Sequence, residues 1–240
     1  AWGWLDQSEY RGDIEVVAGD ICDRDSVRKA MENVDITFHL AALIAIPYSY
    51  IVPASYVSTN IEGTLNVLQV AKDQGLERIV HTSTSEVYGS AQYQPIDEKH
   101  PLVGQSPYSA SKIAADQLAI SYQKSFNLPI KIVRPFNVFG PRQSTRAIIP
   151  TIITQLIKNN GKLTLGNIET KRDFTYVEDT CKAFYKIHKL KKNYGEVINI
   201  GNNSNISIRE LVTLISRHMN INYKLVKDSK RKRAKESEVD

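Results

Sequence analysis

Short apolar, β-branched runs alternate with longer segments of helical spacing between residues 14 and 134. Ile14 to Ala18 reads as a strand, Asp25 to Glu32 as a helix and Ile36 to Leu40 as a second strand. Pro53 to Gln74 predicts one long helix, Arg78 to Thr82 a buried strand, Pro107 to Phe126 another long helix and Ile130 to Arg134 a further strand. Near-continuously apolar strands bury both faces, which calls for a parallel sheet with helices on each side. The pattern predicts a doubly wound α/β domain.

Beyond Pro141 the rhythm loosens. Helices are predicted at Ile148 to Asn159, Glu178 to Leu190 and Ile208 to His218, with short strands near Leu163, Asp173 to Val177, Val197 to Ile200 and Tyr223 to Val226. These segments are expected to alternate between the main sheet and a smaller lobe, so residues 1–141 form the main domain and 142–240 mostly the lobe. A doubly wound dinucleotide domain opens with a strand, a glycine-rich turn and a helix whose N-terminus faces a pyrophosphate. Gly3, Gly12 and Gly19 do not match that arrangement. The chain is therefore expected to begin after the second strand of such a domain, and to be inactive on its own.

Composition adds few constraints. At 240 residues with 42% hydrophobic content, the chain can bury one large core or a domain and a lobe. No apolar stretch is long enough for a membrane span and no leader is evident, so a cytoplasmic location without membrane contact is expected. Cys22 and Cys181 lack the spacing of a disulfide framework or metal site. The five histidines show no ligand-like spacing, and His39, ending a strand, is expected to be packed rather than metal-bound. The net charge of +5 owes most to the six basic residues between Lys227 and Lys235. No aromatic or glycine residue interleaves them, so no nucleic-acid partner is implied. A basic chain also suits an anionic small-molecule substrate.

Candidate chemistry centres on Thr84-Ser85-Glu86 and on Tyr108 and Lys112, which stand four apart on a predicted helix and so share one face. Ser106 is placed as N-cap and Pro107 as the first helical residue, which puts Tyr108 in the first turn. There the helix dipole and the lysine charge both favour the phenolate. Bringing a tyrosine from its ordinary value of about 10 to near 7 takes roughly 4 kcal/mol of such stabilisation.

Order along the chain carries more than any one pair. Asp20-Ile21 after a strand, His39-Leu40-Ala41-Ala42 ending the next, Asn60 and Gly63-Thr64 in the following helix, Thr84, and then Tyr108 and Lys112 form one series. It continues through Arg134 to Arg142, Arg172 to Val177 and Asn199-Ile200-Gly201. This series resembles the extended short-chain dehydrogenase/reductases, specifically their NAD-dependent nucleotide-sugar epimerases and dehydratases, over nearly the whole chain. The resemblance implies NAD as cofactor, with Asp20 and Ile21 at its adenine, Leu40, Ala41 and Ala42 lining its groove, Asn60 hydrogen-bonding near it, and Pro135 and Phe136 at the nicotinamide. It implies that Thr84 binds the sugar C4 hydroxyl, Tyr108 takes its proton, and Lys112 holds the nicotinamide ribose. It places Asn137 at the sugar-linked phosphate and Arg172 at the diphosphate; Arg142 is a further substrate candidate, for which a salt bridge within the lobe is an equal explanation. By the same analogy, helices 53–74 and 107–126 would form a homodimer interface.

Glu86 points beyond epimerisation, which needs only the hydroxyl, phenol and amine. Oxidation at C4 acidifies the C5 hydrogen, and a positioned carboxylate can then remove it. With Ser85, or a water that it orients, protonating the departing C6 hydroxyl, the product is a 4-keto-6-deoxy sugar. Ser85-Glu86 stands where thymidine-linked glucose dehydratases carry Asp-Glu, and Ser-Glu occurs both in guanosine-linked mannose dehydratases and in UDP-glucuronate decarboxylases. Residues 2–6, 42–50 and 143–150 resemble the dehydratases of nonulosonic (legionaminic) acid synthesis, which act on nucleotide-linked N-acetylglucosamine. That implies a UDP- or GDP-linked N-acetylglucosamine 4,6-dehydratase, a lyase. UDP-glucuronate decarboxylation, 4-epimerisation and an inactive nucleotide-sugar-binding module are the competing readings.

Overall fold

A computed structural model describes residues 3–227 of the chain. Trp2 and nearly all of the basic run from Lys227 to Lys235 lie outside the described residues. In chain order, α1 (Arg24–Ala30) precedes β1 (Ile36–His39), α2 (Ile46–Ser49), α3 (Pro53–Tyr56), a π-helical turn (Val57–Glu62) and α4 (Gly63–Gln74). Then come β2 (Arg78–Thr82), a 3₁₀ turn (Ser85–Tyr88), α5 (Pro107–Phe126), β3 (Ile130–Pro135), β4 (Asn137–Phe139), α6 (Ile148–Lys158) and β5 (Lys162–Leu165). The last third holds β6 (Lys171–Arg172), β7 (Phe174–Tyr176), α7 (Val177–Lys189), β8 (Val197–Ile200), β9 (Ile206–Ser207), α8 (Ile208–Met219) and β10 (Lys224–Lys227).

The central sheet runs β1-β2-β3-β8, every pair parallel. Neighbouring residues on a strand face opposite sides. Ile79, Ile130 and Ile132 accordingly pack with Val27, Val67, Leu68 and Ala119 under α1, α4 and α5. Val80 and Val133 pack on the other face with Phe184 and Ile187 of α7. This is the predicted doubly wound α/β architecture, and each fully buried aliphatic side chain in these layers contributes about 1.5–3 kcal/mol. A separate cluster joins α6 and α8 to β5, through Ile152, Leu156, Leu163, Leu211 and Val212.

Two expectations need correction. Ile14 to Ala18 joins no ladder, and Ile14, Val16 and Val17 stay exposed, because among the described residues the sheet ends at β1 and no strand lies alongside this segment. A strand is a pairing, and apolar alternation cannot supply the partner. The long helix from Pro53 to Gln74 is interrupted by the π turn at Val57–Glu62. Widened turns of this kind leave i→i−4 bonding over a short stretch and frequently mark functional positions.

The second long helix has the predicted bounds. The Ser106 hydroxyl accepts from the Ser109 amide at 3.1 Å, while the Ser106 amide donates to the Ser109 hydroxyl at 2.9 Å. This reciprocal cap satisfies orphan N–H groups at the helix start, and Pro107 needs no donor there. At the other end Asn127 takes the left-handed conformation at φ 54. The first turn of α5 is thereby fixed, and with it Tyr108.

Candidate active site

Because the four central strands are parallel and in register, their carboxyl ends share one edge of the sheet. Ligands of open α/β sheets bind in the crevice outside that edge. Leu40, Ala41 and Ala42 follow β1 there, Leu40 62% exposed. Ser83 and Thr84 follow β2, Phe136 and Asn137 follow Pro135 at the end of β3, and Gly201 follows β8.

Tyr108, Lys112 and Asp116 succeed one another at four-residue intervals and line one face of α5. All three are buried. The Lys112 ammonium donates to the Thr82 carbonyl at 2.7 Å. The Thr84 hydroxyl hydrogen-bonds Tyr108 and also accepts from the Glu86 amide at 3.2 Å, starting the 3₁₀ turn that carries Ser85 and Glu86. Tyr56 meets the Tyr108 ring edge-on at 6.3 Å, and Ile46 closes the same apolar cluster.

The phenol departs from expectation. Burial pushes Tyr108 up to about 12; the Thr84 hydrogen bond opposes this, and the Glu86 carboxylate adds to it. Helix dipole and lysine do not prevail, because the ammonium is engaged by Thr82 and the ring is enclosed by apolar neighbours. The Tyr108 phenol is therefore neutral at pH 7.

Burial brings Lys112 down to about 8, with Asp116 opposing. A folded-state value below the unfolded one of about 10.4 means that the unfolded chain holds the extra proton in between, so stability rises from pH 8 towards 10. The full difference is about 3 kcal/mol. Urea denaturation at pH 7, 8, 9 and 10 is expected to show this rise in the wild type and to lose it in Lys112→Met. The Tyr108 phenol works in the opposite sense only above pH 10. An equal rise in the variant would contradict the assignment.

Asp116 is enclosed completely. It accepts from the Ser83 hydroxyl at 2.8 Å and from the Arg134 guanidinium at 3.1 and 2.9 Å, and lies 3.3 Å from the His81 ring. Burial pushes its carboxyl up, but His81, Arg134 and Ser83 together hold it below the ordinary value. Burial lowers His81 and, more strongly, His39, so both rings are neutral at pH 7.

The π turn explains Asn60. Its amide oxygen accepts from the Leu43 amide at 2.8 Å, and its nitrogen donates to the Leu43 carbonyl at 3.0 Å and to Ser111 at 2.9 Å. Asn60 thus ties the loop after β1 to α5, and its polar atoms are spent on protein partners. Asp20 closes a local turn by accepting from the Cys22 amide at 2.9 Å. Ile21 packs against Gly63, where an added Cβ would sit 2.8 Å from the isoleucine. A glycine is needed at that contact.

A cleft of about 680 Å³ opens beside these residues. Ser85, Glu86, Phe136, Asn137 and Arg172 line it, so the structure gathers them from two separate strand ends and β6. The Asn137 amide nitrogen donates to the Asp173 carbonyl at 3.1 Å, and Arg172 donates to the Lys171 carbonyl at 2.9 Å. Thr84, Tyr108 and Lys112 do not line this cleft; Thr84 caps the turn that carries Ser85 and Glu86 into its wall, and Pro135 ends β3 next to Phe136. Arg142 is not brought in: it is exposed, at φ 67, over the Trp4 ring at 5.1 Å. Residues 94–96 and 203–205 also line the cleft, and no motif signalled them. Asp173, Asn199 and Gly201 line it from inside the recognised motifs.

The donor set fits a nicotinamide dinucleotide. Lys112 spends one of its three N–H groups on Thr82, which leaves donors for a ribose hydroxyl, and small side chains at Ala41 and Ala42 permit close approach of a flat ring. Among the described residues no group of three or more His, Cys, Asp or Glu could hold a metal ion, and no helix is long and apolar enough to cross a membrane.

Comparison with known proteins agrees with this geometry. The family described as GDP-mannose 4,6 dehydratase matches residues 3–240. The dTDP-D-glucose 4,6-dehydratase of Mus musculus is 32% identical over 217 residues, covering 88% of this chain. The chain spans about three fifths of the length of the curated relatives it matches, 61% for the mouse protein. The structure of DesIV, a dTDP-glucose 4,6-dehydratase from Streptomyces venezuelae with NAD and TYD bound, superposes with a TM-score of 0.82 at 31% identity, covering 89% of this chain and 67% of that one. UDP-glucuronic acid 4-epimerase from Bacillus cereus, in complex with UDP-glucuronic acid and NAD, gives 0.84 at 29%, covering 93% and 73%. With its parallel sheet, its Tyr108 and Lys112 on α5 and its Thr84-Ser85-Glu86 turn at the strand ends, the chain belongs to the GDP-mannose 4,6-dehydratase family of extended short-chain dehydrogenase/reductases, the nucleotide-sugar dehydratases and epimerases.

Proposed function

We propose that the complete protein is an NAD-dependent nucleotide-sugar 4,6-dehydratase acting on UDP- or GDP-linked N-acetylglucosamine in the cytoplasm. The observation that carries this reading is the place of Glu86: on the wall of the cleft, and close enough to Tyr108 to act on its phenol. A carboxylate there is surplus to simple epimerisation.

Thr84 would hold the sugar O4, and Tyr108, as phenolate once substrate and cofactor are in place, would take its proton. NAD would be held by Lys112 and along Leu40, Ala41, Ala42, Pro135 and Phe136, with Asp20 and Ile21 toward the adenine, and would supply a two-electron acceptor for oxidation at C4, restored by reduction at C6. Glu86 would remove the C5 proton, made acidic by that ketone. Ser85, or a water it orients, would protonate the C6 hydroxyl as it leaves. A proton exchanged with solvent would return to C5 as C6 is reduced, so that one water is lost and the cofactor ends as it began. Arg172 would pair with the diphosphate, for which its fork geometry is suited, and Asn137 with the sugar-linked phosphate. Residues 142–240 would supply most of the substrate lobe, with Arg142 at its margin. Leu43 packs with Ile46 and Tyr108, which supports an apolar wall for the acetamido methyl. Val57 and Leu65 of the 53–74 segment and Phe126 at the end of α5 are exposed, which supports a homodimer through helices 53–74 and 107–126.

Product analysis tests the reading. The complete protein, given NAD and UDP- or GDP-linked N-acetylglucosamine in heavy water, is expected to yield a 4-keto-6-deoxy sugar with deuterium at C5, seen by NMR. Carbon dioxide from UDP-glucuronate would instead mark a decarboxylase. A C4 epimer with C6 intact would mark a 4-epimerase, as in the B. cereus neighbour, and nucleotide-sugar binding without any product would mark a binding module.

A further inference from the structure

The proton chemistry leaves one buried polar group unused. Tyr88 ends the 3₁₀ turn that carries Ser85 and Glu86, and it is wholly enclosed. Its hydroxyl accepts from the Arg134 guanidinium at 3.0 Å and donates to the Asn199 side-chain oxygen at 2.7 Å. Asn199 lines the cleft. Its backbone amide donates to the Glu98 carboxylate at 2.8 Å, and its side-chain nitrogen reaches the Ile96 carbonyl at 3.4 Å. Gln94, Pro95 and Ile96, in the same loop, form the facing wall. The Tyr88 ring also meets the buried His100 ring edge-on at 5.5 Å, and His100 ties the loop down through the Gln92 amide and the Pro101 carbonyl.

We propose that Tyr88 is a positioning residue for sugar binding: anchored by Arg134, its hydroxyl fixes Asn199 and, through Asn199, the 94–98 wall of the cleft. The chain of bonds starts at the rigid centre of the molecule, since Arg134 is clamped by the buried Asp116. Burial raises the Tyr88 phenol, which keeps it protonated and therefore a donor to Asn199. An oxygen that both accepts and donates, with no access to water, has a directional role that the ring alone cannot fill. The bonds of the Tyr88 hydroxyl run to Arg134 and Asn199, so its removal spares the backbone of the turn that carries Glu86. The inference rests on reading this cleft as the sugar site.

Tyr88→Phe isolates the hydroxyl, because the ring packing on His100 remains. In the complete protein, amides 94–100 and 197–200 are expected to exchange hydrogen at least about tenfold faster in the variant, with protection across helix 107–126 unchanged. UDP-N-acetylglucosamine, measured by calorimetry in the presence of NAD, is expected to bind about five- to tenfold more weakly, and kcat to stay within about twofold of the wild type. Glu98→Gln weakens the same tether from the other side and is expected to reproduce the local exchange change, which keeps the test available if Tyr88→Phe folds poorly. Unchanged exchange in 94–100, or loosening spread evenly through helix 107–126, overturns the proposal. So does a fall in kcat with unaltered affinity. Exchange is read without turnover; a wild-type protein that dehydrates no nucleotide sugar would defeat the functional reading and leave the tether to be judged by exchange alone.

Discussion

Glu86→Gln is expected to lower dehydration turnover by about 10²–10⁴-fold, the usual contribution of a positioned acid or base, while nucleotide-sugar and NAD binding stay within a few-fold. The amide keeps the shape of the cleft wall and loses the capacity to take the C5 proton that the proposed mechanism requires. Deuterium uptake at C5 should fall in step with product formation. In the proposed mechanism redox at C4 uses Thr84, Tyr108 and Lys112 and should survive, so the variant should still accumulate a C4-oxidised sugar or return the substrate. Full turnover in Glu86→Gln would remove the carboxylate from the mechanism and leave epimerisation as the better account. Glu86→Asp, one methylene shorter, should recover part of the rate if distance to C5 is the requirement.

The largest effect on folding is expected at Asp116. Asp116→Ala strips the acceptor from a buried Arg134 and from Ser83. An unpaired guanidinium inside the protein costs about 3–5 kcal/mol, a large share of a domain's typical stability of about 5–15 kcal/mol. The denaturation midpoint in urea is expected to drop accordingly, with an unchanged slope. Asp116→Asn retains the volume and one acceptor and should lose less. The wild type has a pH signature from the same group: its folded value lies below the ordinary one of about 3.9, so its contribution is complete above pH 4 and disappears as pH falls through the folded value. A loss of less than 1 kcal/mol in Asp116→Ala would show that water or a neighbouring side chain takes over the guanidinium.

Much of this architecture is legible in local sequence, and the illegible parts share a cause. Helix α5 can be bounded from Ser106-Pro107 at one end and Asn127 at the other, because capping chemistry is local. Strand β2 is readable because five successive residues at the centre of a parallel sheet must suit burial. Ile14 to Ala18 is as rich in β-branched residues and forms no strand, since pairing depends on what lies alongside. Within the π turn at Val57–Glu62, Asn60 reaches both Leu43 and Ser111, two contacts far away in sequence. Tyr108 illustrates the limit for electrostatics: its turn and its lysine are visible in the chain, but the enclosure by Tyr56 and Ile46 that raises its phenol is tertiary. Ser85, Glu86, Asn137 and Arg172 can be singled out from motifs and do line the cleft, whereas the walls at 94–96 and 203–205 are irregular loops without periodicity. Arg142 carries the same guanidinium as Arg172, yet its left-handed backbone belongs to a turn that sets the side chain over Trp4 instead.

The pairing of β3 with β8 has a bearing on how such enzymes diversify. The last strand of the catalytic sheet, Val197–Ile200, is delivered only after the chain has passed through α6, β5 and α7. Recombination that exchanged everything after Pro141 would import a foreign strand onto the sheet, against β3. A viable graft of new specificity would have to arrive as two pieces, one on each side of residues 197–200, leaving the native strand in place. On the proposed function, specificity in this chain is thus an inlay rather than a cassette, and point changes at the inlay's seams offer evolution the shorter route.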